Sequence, residues 1–149
     1  MAIVKSSGLA IVYKGKLLLG HPTGHKEGCL SIPKGRINKG ETKIEAAIRE
    51  TFEEVGVKVP LDLIGEEGDK IVYKKSKNGV RNAGKTHKIV YWFKVEIQDL
   101  SQIGLSFEKI EKSKLQLREI DWAAFIPSEE IESKIFWRFI PIAKELNLI

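Results

Sequence analysis

The feature that most constrains this chain is a group of acidic residues on a segment with helical periodicity. Glu50, Glu53 and Glu54 share one face of a helix at about 3.6 residues per turn. Like charges at this spacing repel one another and destabilise an isolated helix. A bound cation would neutralise them, and hard carboxylate oxygens favour Mg²⁺ or Mn²⁺. The segment is therefore predicted to be a helix that binds a metal ion.

The remaining residues of the segment also indicate a buried helix rather than a solvated one. Its acidic residues are gathered at one end, and its apolar residues form a separate stripe: Ile44, Ala47, Ile48, Phe52 and Val55. A surface helix more often alternates Glu with Lys at i, i+4. Gly56 follows the last helical residue, where a left-handed C-cap favours glycine. The helix is expected to run from Thr42 to Val55.

The segment from Gly35 to Val57 resembles the Nudix box, G-x5-E-x7-R-E-U-x-E-E-x-G-U, where U is bulky and apolar. The fixed positions are filled by Gly35, Glu41, Arg49, Glu50, Glu53, Glu54 and Gly56, and Val57 takes the last apolar place. Thr51 stands at the first apolar place, a departure that concerns packing and not chemistry. The resemblance covers 23 of the 149 residues. It implies an α/β fold, the Nudix-type α/β/α sandwich with a mixed sheet, as a single domain over residues 1–149.

The resemblance also implies an enzyme, a Nudix pyrophosphohydrolase that uses Mg²⁺ or Mn²⁺ to promote attack of water on a phosphoanhydride. The implied metal ligands are the carboxylates of Glu50, Glu53 and Glu54 and the backbone carbonyl of Gly35. Arg49 is expected to hold the geometry of the cluster, and Glu53 or Glu50 to orient or deprotonate the water. Some Nudix enzymes take the base from a loop outside the box, and the candidates here are Glu108, Glu111 and Glu119. Of these, Glu119 is expected to be an ordinary surface residue.

Outside the box, the pattern of turns and apolar runs predicts several strands. Gly8 to Tyr13 and Lys16 to Gly20 read as a hairpin about Lys14-Gly15, and Leu30 to Ile32 reads as a short strand before the box. Ile71 to Lys74 and His87 to Ile97 are further strands. Ser128 is predicted to cap a C-terminal helix that Pro141 interrupts or restarts.

Charge and cysteine content indicate the cellular compartment in which this chain is expected to work. The net charge is +5, and the single cysteine, Cys29, allows no internal disulfide, so a cytoplasmic enzyme is expected with no membrane partner. Cys29 is predicted to be a small buried hydrophobe without a role. Trp92, Trp122 and Trp137 are expected in the core.

A basic segment indicates an anionic, small-molecule polyphosphate substrate. Between Lys70 and Val95 there are eight Lys or Arg and no Asp or Glu. A surface run of lysine is also typical of solvent-exposed charge, so the interpretation stays open for Lys74 to Lys77. The predicted substrate-binding residues are Lys34, Tyr73, Lys75, Arg81, His87 and Lys88.

The substrate class is less constrained than the chemistry. Tyr73 beyond the box and the entry Ser31 to Gly35 resemble the dinucleoside polyphosphate hydrolases, which favours a substrate such as diadenosine tetraphosphate. The alternatives are a diphosphoinositol polyphosphate, the 5′ end of a phosphorylated RNA, and a Nudix-like module that binds nucleotide or RNA without cutting it. Retention of Glu50, Glu53, Glu54 and Arg49 favours an enzyme over the last of these.

Overall fold

A computed structural model describes residues 2–149 as one mixed sheet with helices on both faces. The strands are β1 (Val4–Tyr13), β2 (Lys16–Pro22), β3 (Lys34–Arg36), β4 (Ile71–Lys74), β5 (Thr86–Ile97) and β6 (Ile120–Pro127), and the helices are α1 (Lys43–Val55), α2 (Ser128–Lys134) and α3 (Ile140–Glu145). The strand order is β4-β5-β1-β2-β6, with β3 paired to β1. This is the predicted Nudix-type α/β/α sandwich. No helix in residues 2–149 is long and apolar enough to cross a membrane.

The centre of the sheet is the parallel pair of β1 and β5, in register from Val4 opposite Lys88 to Tyr13 opposite Ile97. All other strand pairs in this sheet are antiparallel. The predicted hairpin of β1 and β2 is confirmed: Lys14 and Gly15 both have positive φ, as a two-residue turn of the type I′ class requires.

The two faces of the sheet bury separate apolar clusters, as alternation along a strand dictates. On one face, Leu9 and Ile11 of β1 pack with α1 residues such as Ala47. On the other, Ala10 and Val12 pack with the C-terminal helices around Ile131 and Ile142. Helix α1 is therefore fixed to one face, and the C-terminal segment covers the other.

Helix α1 is defined at both ends by its own residues. Thr42 accepts from the backbone N–H of Glu45 while the Glu45 carboxylate accepts from the backbone N–H of Thr42, which is a capping box. Gly56 ends the helix at φ 69°, as predicted. Thr51 is fully buried, but its hydroxyl donates to the Ala47 carbonyl at 2.8 Å, so it fills an apolar position without an unpaired polar group.

Two local predictions are wrong. Leu30 and Ser31 form only isolated bridges, and the strand that enters the box is Lys34–Arg36, because Pro33 has no N–H to continue a ladder. Ser128 is the first residue of α2 and not its cap; the preceding Pro127 ends β6 directly against the helix. Pro141 lies in the first turn of α3. It therefore restarts the helix, which was one of the two predicted outcomes.

Gly56 provides a test of how tightly α1 is anchored. A Cβ at this position would lie 2.7 Å from the Lys114 Cβ and 2.8 Å from the Lys114 carbonyl oxygen, in addition to requiring positive φ. Gly104 also has positive φ, 74°, but nothing lies within 4 Å of its Cβ position. We expect Gly104→Ala to lower the free energy of unfolding by about 1–2 kcal/mol and Gly56→Ala to lower it by more. Urea denaturation of both variants measures the difference, and equal losses would show that the Lys114 contact is unimportant.

Candidate active site

Three carboxylates from two separate parts of the chain meet at one end of the sheet. One carboxylate oxygen from each of Glu50, Glu54 and Glu119 lies within 4.8 Å of the other two. Glu50 and Glu54 are one turn apart on α1, whereas Glu119 comes from the loop immediately before β6. This glutamate cluster has the oxygen-only donor set that Mg²⁺ and Mn²⁺ prefer, and it fits a divalent cation. Glu119 is exposed, as expected, but it is also the third member of the cluster.

Glycine at position 35 makes room for one of these carboxylates. A Cβ on Gly35 would lie 2.1 Å from the Glu50 Cδ, so any other residue at this position would displace the Glu50 carboxylate. β3 therefore passes directly beneath the Glu50 carboxylate, and this places the Gly35 backbone beside the cluster. The glycine of the box lets this carboxylate approach the backbone closely.

Arg49 fixes the glutamates by donating hydrogen bonds to four residues at once. Its guanidinium donates to Glu41 at 2.7 and 3.0 Å, to Glu50 at 2.7 Å, to Glu53 at 2.7 Å and to the Arg36 carbonyl at 2.8 Å. The hydrogen bonds to Glu41, Glu50 and Glu53 raise the pKa of Arg49, and the bond from Arg49 lowers the pKa of Glu41. Glu53 is thus held against Arg49 with 48% of its side chain exposed, outside the glutamate cluster.

Glu54 is the buried member of the cluster. Glu54 is only 8% exposed, and the backbone N–H of Lys34 donates to its carboxylate at 3.2 Å. Burial raises the pKa of Glu54 to about 8, with smaller contributions from the charges of Glu119 and Glu50. Without a cation, Glu54 therefore holds a proton at neutral pH, and a bound cation would replace that proton.

Two cavities meet at the glutamate cluster, and both are lined by Lys34, Glu54 and Glu119. The first, of 420 Å³, is here called the aromatic cavity because Tyr73, Phe136 and Phe139 line it. The second, of 560 Å³, is called the basic cavity; it adds Gly35, Arg36, Glu50, His87 and Lys88. A bound molecule that reaches the glutamates can thus extend in two directions of different chemistry.

Three cations, Lys34, Arg36 and Lys88, line the basic cavity together with the glutamates. Burial, together with the charges of Lys34 and Arg36, lowers the pKa of Lys88 to about 8. The Lys88 Nζ lies 5.1 Å from the centre of the Tyr73 ring, and Lys34 Nζ lies 5.9 Å from that of Phe139. Burial raises the pKa of the Tyr73 hydroxyl to about 12, so this side chain stays neutral. An anionic group in this cavity would relieve the repulsion among the cations.

Comparison with known families identifies the chain. The model of the NUDIX domain matches residues 5–138. The chain belongs to the Nudix family. The predicted enzyme class, a Nudix pyrophosphohydrolase, is confirmed with it, and Nudix hydrolases use divalent metal ions.

Solved structures show the same fold at low sequence identity. A C. elegans Ap4A hydrolase in a binary complex superposes with a TM-score of 0.59 at 20% identity, covering 99% of this chain and 100% of that one. A NUDIX hydrolase from Nitrosomonas europaea gives 0.63 at 20% identity, covering 99% and 71% of the two chains. A MutT protein from Methanosarcina mazei Go1 gives 0.63 at 16% identity, covering 97% and 94%. Comparison with curated protein sequences finds no match.

Several residues predicted from the sequence lie away from the Nudix glutamates. Glu108 forms an ion pair of 2.8 Å with Lys16, at the opposite end of β2 from Pro22, which lines the aromatic cavity. Glu111 is exposed beside a separate cavity with Phe107. Lys75 and Arg81 lie outside both cavities, on the connection between β4 and β5.

Other site residues were not anticipated. Arg36, Arg118, Phe136 and Phe139 line the two cavities, and Cys29 is half-buried on the wall of the aromatic cavity, not in the core. Trp92 is fully buried and Trp122 half-buried, but Trp137 is 42% exposed, so its predicted core position is wrong. A basic residue after the box glycine was the available signal for Arg36; the C-terminal aromatics carry no spacing signal.

The raised pKa of Glu54 predicts how stability depends on pH when EDTA removes divalent cations. The folded chain binds a proton that the unfolded chain releases at its ordinary pKa of 4.5, so the free energy of unfolding falls as pH rises from 4.5 to about 8. Glu54→Gln should abolish this fall. Between pH 5 and pH 8.5 its free energy of unfolding should therefore rise by roughly 3 kcal/mol relative to that of the parent.

Urea denaturation at several pH values, with and without Mg²⁺, measures this effect. Glu53→Gln is the matched control, because Glu53 is exposed and outside the cluster. Added Mg²⁺ should remove the pH dependence of the parent and leave Glu54→Gln unaffected. A parent whose stability in EDTA does not change between pH 5 and pH 8.5 would contradict the burial effect.

Proposed function

We propose that this Nudix enzyme hydrolyses a phosphoanhydride bond in a dinucleoside polyphosphate such as diadenosine tetraphosphate, by attack of water at phosphorus with Mg²⁺ or Mn²⁺ bound. The observation that carries the proposal is that the aromatic and basic cavities meet at the glutamate cluster. A dinucleoside polyphosphate has the matching parts: a nucleoside at each end and a charged chain between them. The Ap4A hydrolase of C. elegans, which shares the fold, lends this substrate class further support.

In this proposal Glu50, Glu54 and Glu119 hold the cation, and the Gly35 carbonyl beside them adds a backbone oxygen. When bound, the cation lowers the pKa of water and neutralises the phosphate oxygens. Arg49 keeps the Glu50 carboxylate in place through its bond of 2.7 Å. Glu53, bonded to the same guanidinium, stays a predicted base for the attacking water, although this structure holds it outside the glutamate cluster.

The remaining parts of the substrate have separate sites. In the basic cavity, the phosphates of the substrate contact four side chains: Lys34, Lys88, Arg36 and His87. Tyr73, Phe136 and Phe139 offer a ring-lined wall for one nucleoside in the aromatic cavity. Lys75 and Arg81 would contact only a substrate that extends beyond Tyr73.

A second candidate substrate follows from the basic cavity alone. Four basic or imidazole side chains around one 560 Å³ space suit a compact, highly phosphorylated ring such as a diphosphoinositol polyphosphate. The aromatic cavity favours the dinucleoside, because an inositol polyphosphate has no planar group to place against its rings. A 5′-phosphorylated RNA could also place its terminal phosphates at the glutamates.

A panel of substrates with and without Mg²⁺ tests the proposal. We expect turnover of diadenosine tetraphosphate to ATP and AMP, and slower cleavage of diphosphoinositol phosphates, nucleoside triphosphates and 5′-triphosphate RNA, with products separated by ion exchange. Phe136→Leu should raise KM for diadenosine tetraphosphate by roughly tenfold and change KM for a diphosphoinositol phosphate little, because the Phe136 ring is only half-buried on the wall of the aromatic cavity. Cleavage confined to the inositol compounds would contradict the dinucleoside assignment, and binding without turnover of any substrate would favour the non-enzymatic module.

Glu119 provides the sharpest test of the metal site, because it lies outside the box. We expect Glu119→Gln to weaken Mg²⁺ or Mn²⁺ binding by roughly tenfold or more, measured by isothermal titration calorimetry. Glu108→Gln is the matched control, because it removes the same charge from the Lys16 pair elsewhere in the fold. If Glu119→Gln lowers kcat while cation affinity is unchanged, Glu119 is the proton acceptor and not a ligand.

A further inference from the structure

The connection between β4 and β5 and the start of the C-terminal segment form an exposed basic surface outside the proposed active site. The connection, residues 75–85, carries four basic residues and no acidic one: Lys75, Lys77, Arg81 and Lys85. An adjoining shallow cavity of 310 Å³ is lined by Lys70, Asn82, Trp137 and Arg138, with Asp69 as its acidic residue. The surface therefore attracts polyanions more strongly than the net charge alone requires.

Cationic and aromatic side chains alternate along this surface. The Arg81 guanidinium lies 4.8 Å from the centre of the Trp137 ring, and the Arg138 guanidinium lies 4.5 Å from the same ring. Arg138 also lies 4.3 Å from the centre of the Tyr73 ring. Because Tyr73 lines the aromatic cavity, the row of Arg81, Trp137, Arg138 and Tyr73 continues into the proposed active site. We call these four residues the arginine-aromatic row.

Asn82 connects Arg138 of the row to the segment between β4 and β5. Its side-chain oxygen accepts from the backbone N–H of Lys74 at 2.8 Å and from Arg138 Nη1 at 3.2 Å. The long connection is thus tied to β4 and to the C-terminal segment at the same point. Trp137 nevertheless stays 42% exposed, so burial in the core does not explain this large ring.

We propose that the arginine-aromatic row is a binding surface for single-stranded nucleic acid. Guanidinium planes and aromatic rings both stack on unpaired bases, and the neighbouring lysines neutralise the phosphodiester backbone. A lipid surface would require a contiguous apolar patch rather than a row in which arginines alternate with rings, and a duplex would keep its bases stacked and out of reach. The proposal is independent of phosphoanhydride hydrolysis, because it concerns binding of the strand alone.

Fluorescence anisotropy with a 3′-labelled, 5′-hydroxyl RNA of about 12 nucleotides tests the surface. EDTA is present and the RNA has no terminal phosphate, so the result does not depend on hydrolysis or on the metal site. We expect Arg81→Gln with Arg138→Gln to weaken binding by about tenfold or more and to reduce the salt dependence of the dissociation constant. The matched control is Lys58→Gln with Lys112→Gln, which removes the same charge from exposed positions near α1 and should change binding less than about twofold.

Trp137 separates stacking from charge. Trp137→Leu should weaken RNA binding by about tenfold with an unchanged salt dependence, and Trp137→Phe should retain most of the affinity. Circular dichroism and the urea midpoint confirm that each variant is folded. Duplex RNA of the same length should bind the parent more weakly than the single strand does.

Two results would overturn the proposal. Equal losses in the Arg81/Arg138 variant and in its control would show that RNA responds only to overall charge. Undiminished binding by Trp137→Leu, with inorganic polyphosphate competing as well as single-stranded RNA, would show a surface for polyanions in general. Either result would leave the proposed hydrolysis untouched.

Discussion

The arrangement of the active site depends on the bonds of Arg49. This side chain connects Glu41 and the Arg36 carbonyl, which lie before α1, with Glu50 and Glu53 on the helix. Carboxylates grouped at one end of a helix would repel one another and splay apart. One guanidinium with five N–H donors can satisfy several of them in fixed directions, which the single ammonium of a lysine cannot do. Arg49 thereby orients the Glu50 carboxylate, which lies with those of Glu54 and Glu119 in the cluster.

Burial of Glu54 sets a second constraint that opposes the first. The chain removes this carboxylate from water and gives it one backbone N–H as its nearby donor, from Lys34. Such a group is costly to ionise unless a positive charge is bound next to it. The buried Glu54 carboxylate therefore favours a bound cation, and the exposed Glu119 contributes the third carboxylate of the cluster. Affinity for the cation and affinity for the proton are linked through the same oxygen atoms.

Most of the fold could be predicted from residues that act locally. The Lys14-Gly15 turn, the Thr42 capping box and the Gly56 cap each depend on neighbours in sequence, and the alternation of apolar residues then assigns the faces of β1. The strand β6 was not predicted, because Ile120–Pro127 is apolar on both faces and shows little alternation. Leu30 to Ile32 failed for a related reason: its apolar pattern is that of a strand, but Pro33 prevents the ladder from forming.

The site could be predicted only as far as the box extends. Spacing along one loop and one helix brings together Glu50, Glu54 and Gly35. Their positions can therefore be recognised in the sequence. Glu119 is 65 positions beyond Glu54 and reaches the cluster through the pairing of β2 with β6. Nothing in the residues around it distinguishes it from an ordinary surface glutamate. Its role follows from the sheet topology and cannot be read from spacing.

The same separation explains why the chemistry of a Nudix protein is easier to derive than its substrate. The cation and the water need groups at fixed distances, and in the proposed site all of these groups except Glu119 are supplied by one continuous segment. The groups that meet the rest of the substrate come from β3, β4, β5, the loop before β6 and the C-terminal aromatics. Apart from β3, which contains Gly35 and the Arg36 carbonyl bonded by Arg49, none of these segments supplies an acceptor for Arg49 within residues 2–149, so they can change while its hydrogen bonds are kept. Substrate choice in this chain must therefore be sought in the walls of the two cavities. The basic cavity has cationic side chains such as Lys88 and Arg36, whereas the aromatic cavity has rings such as that of Phe139.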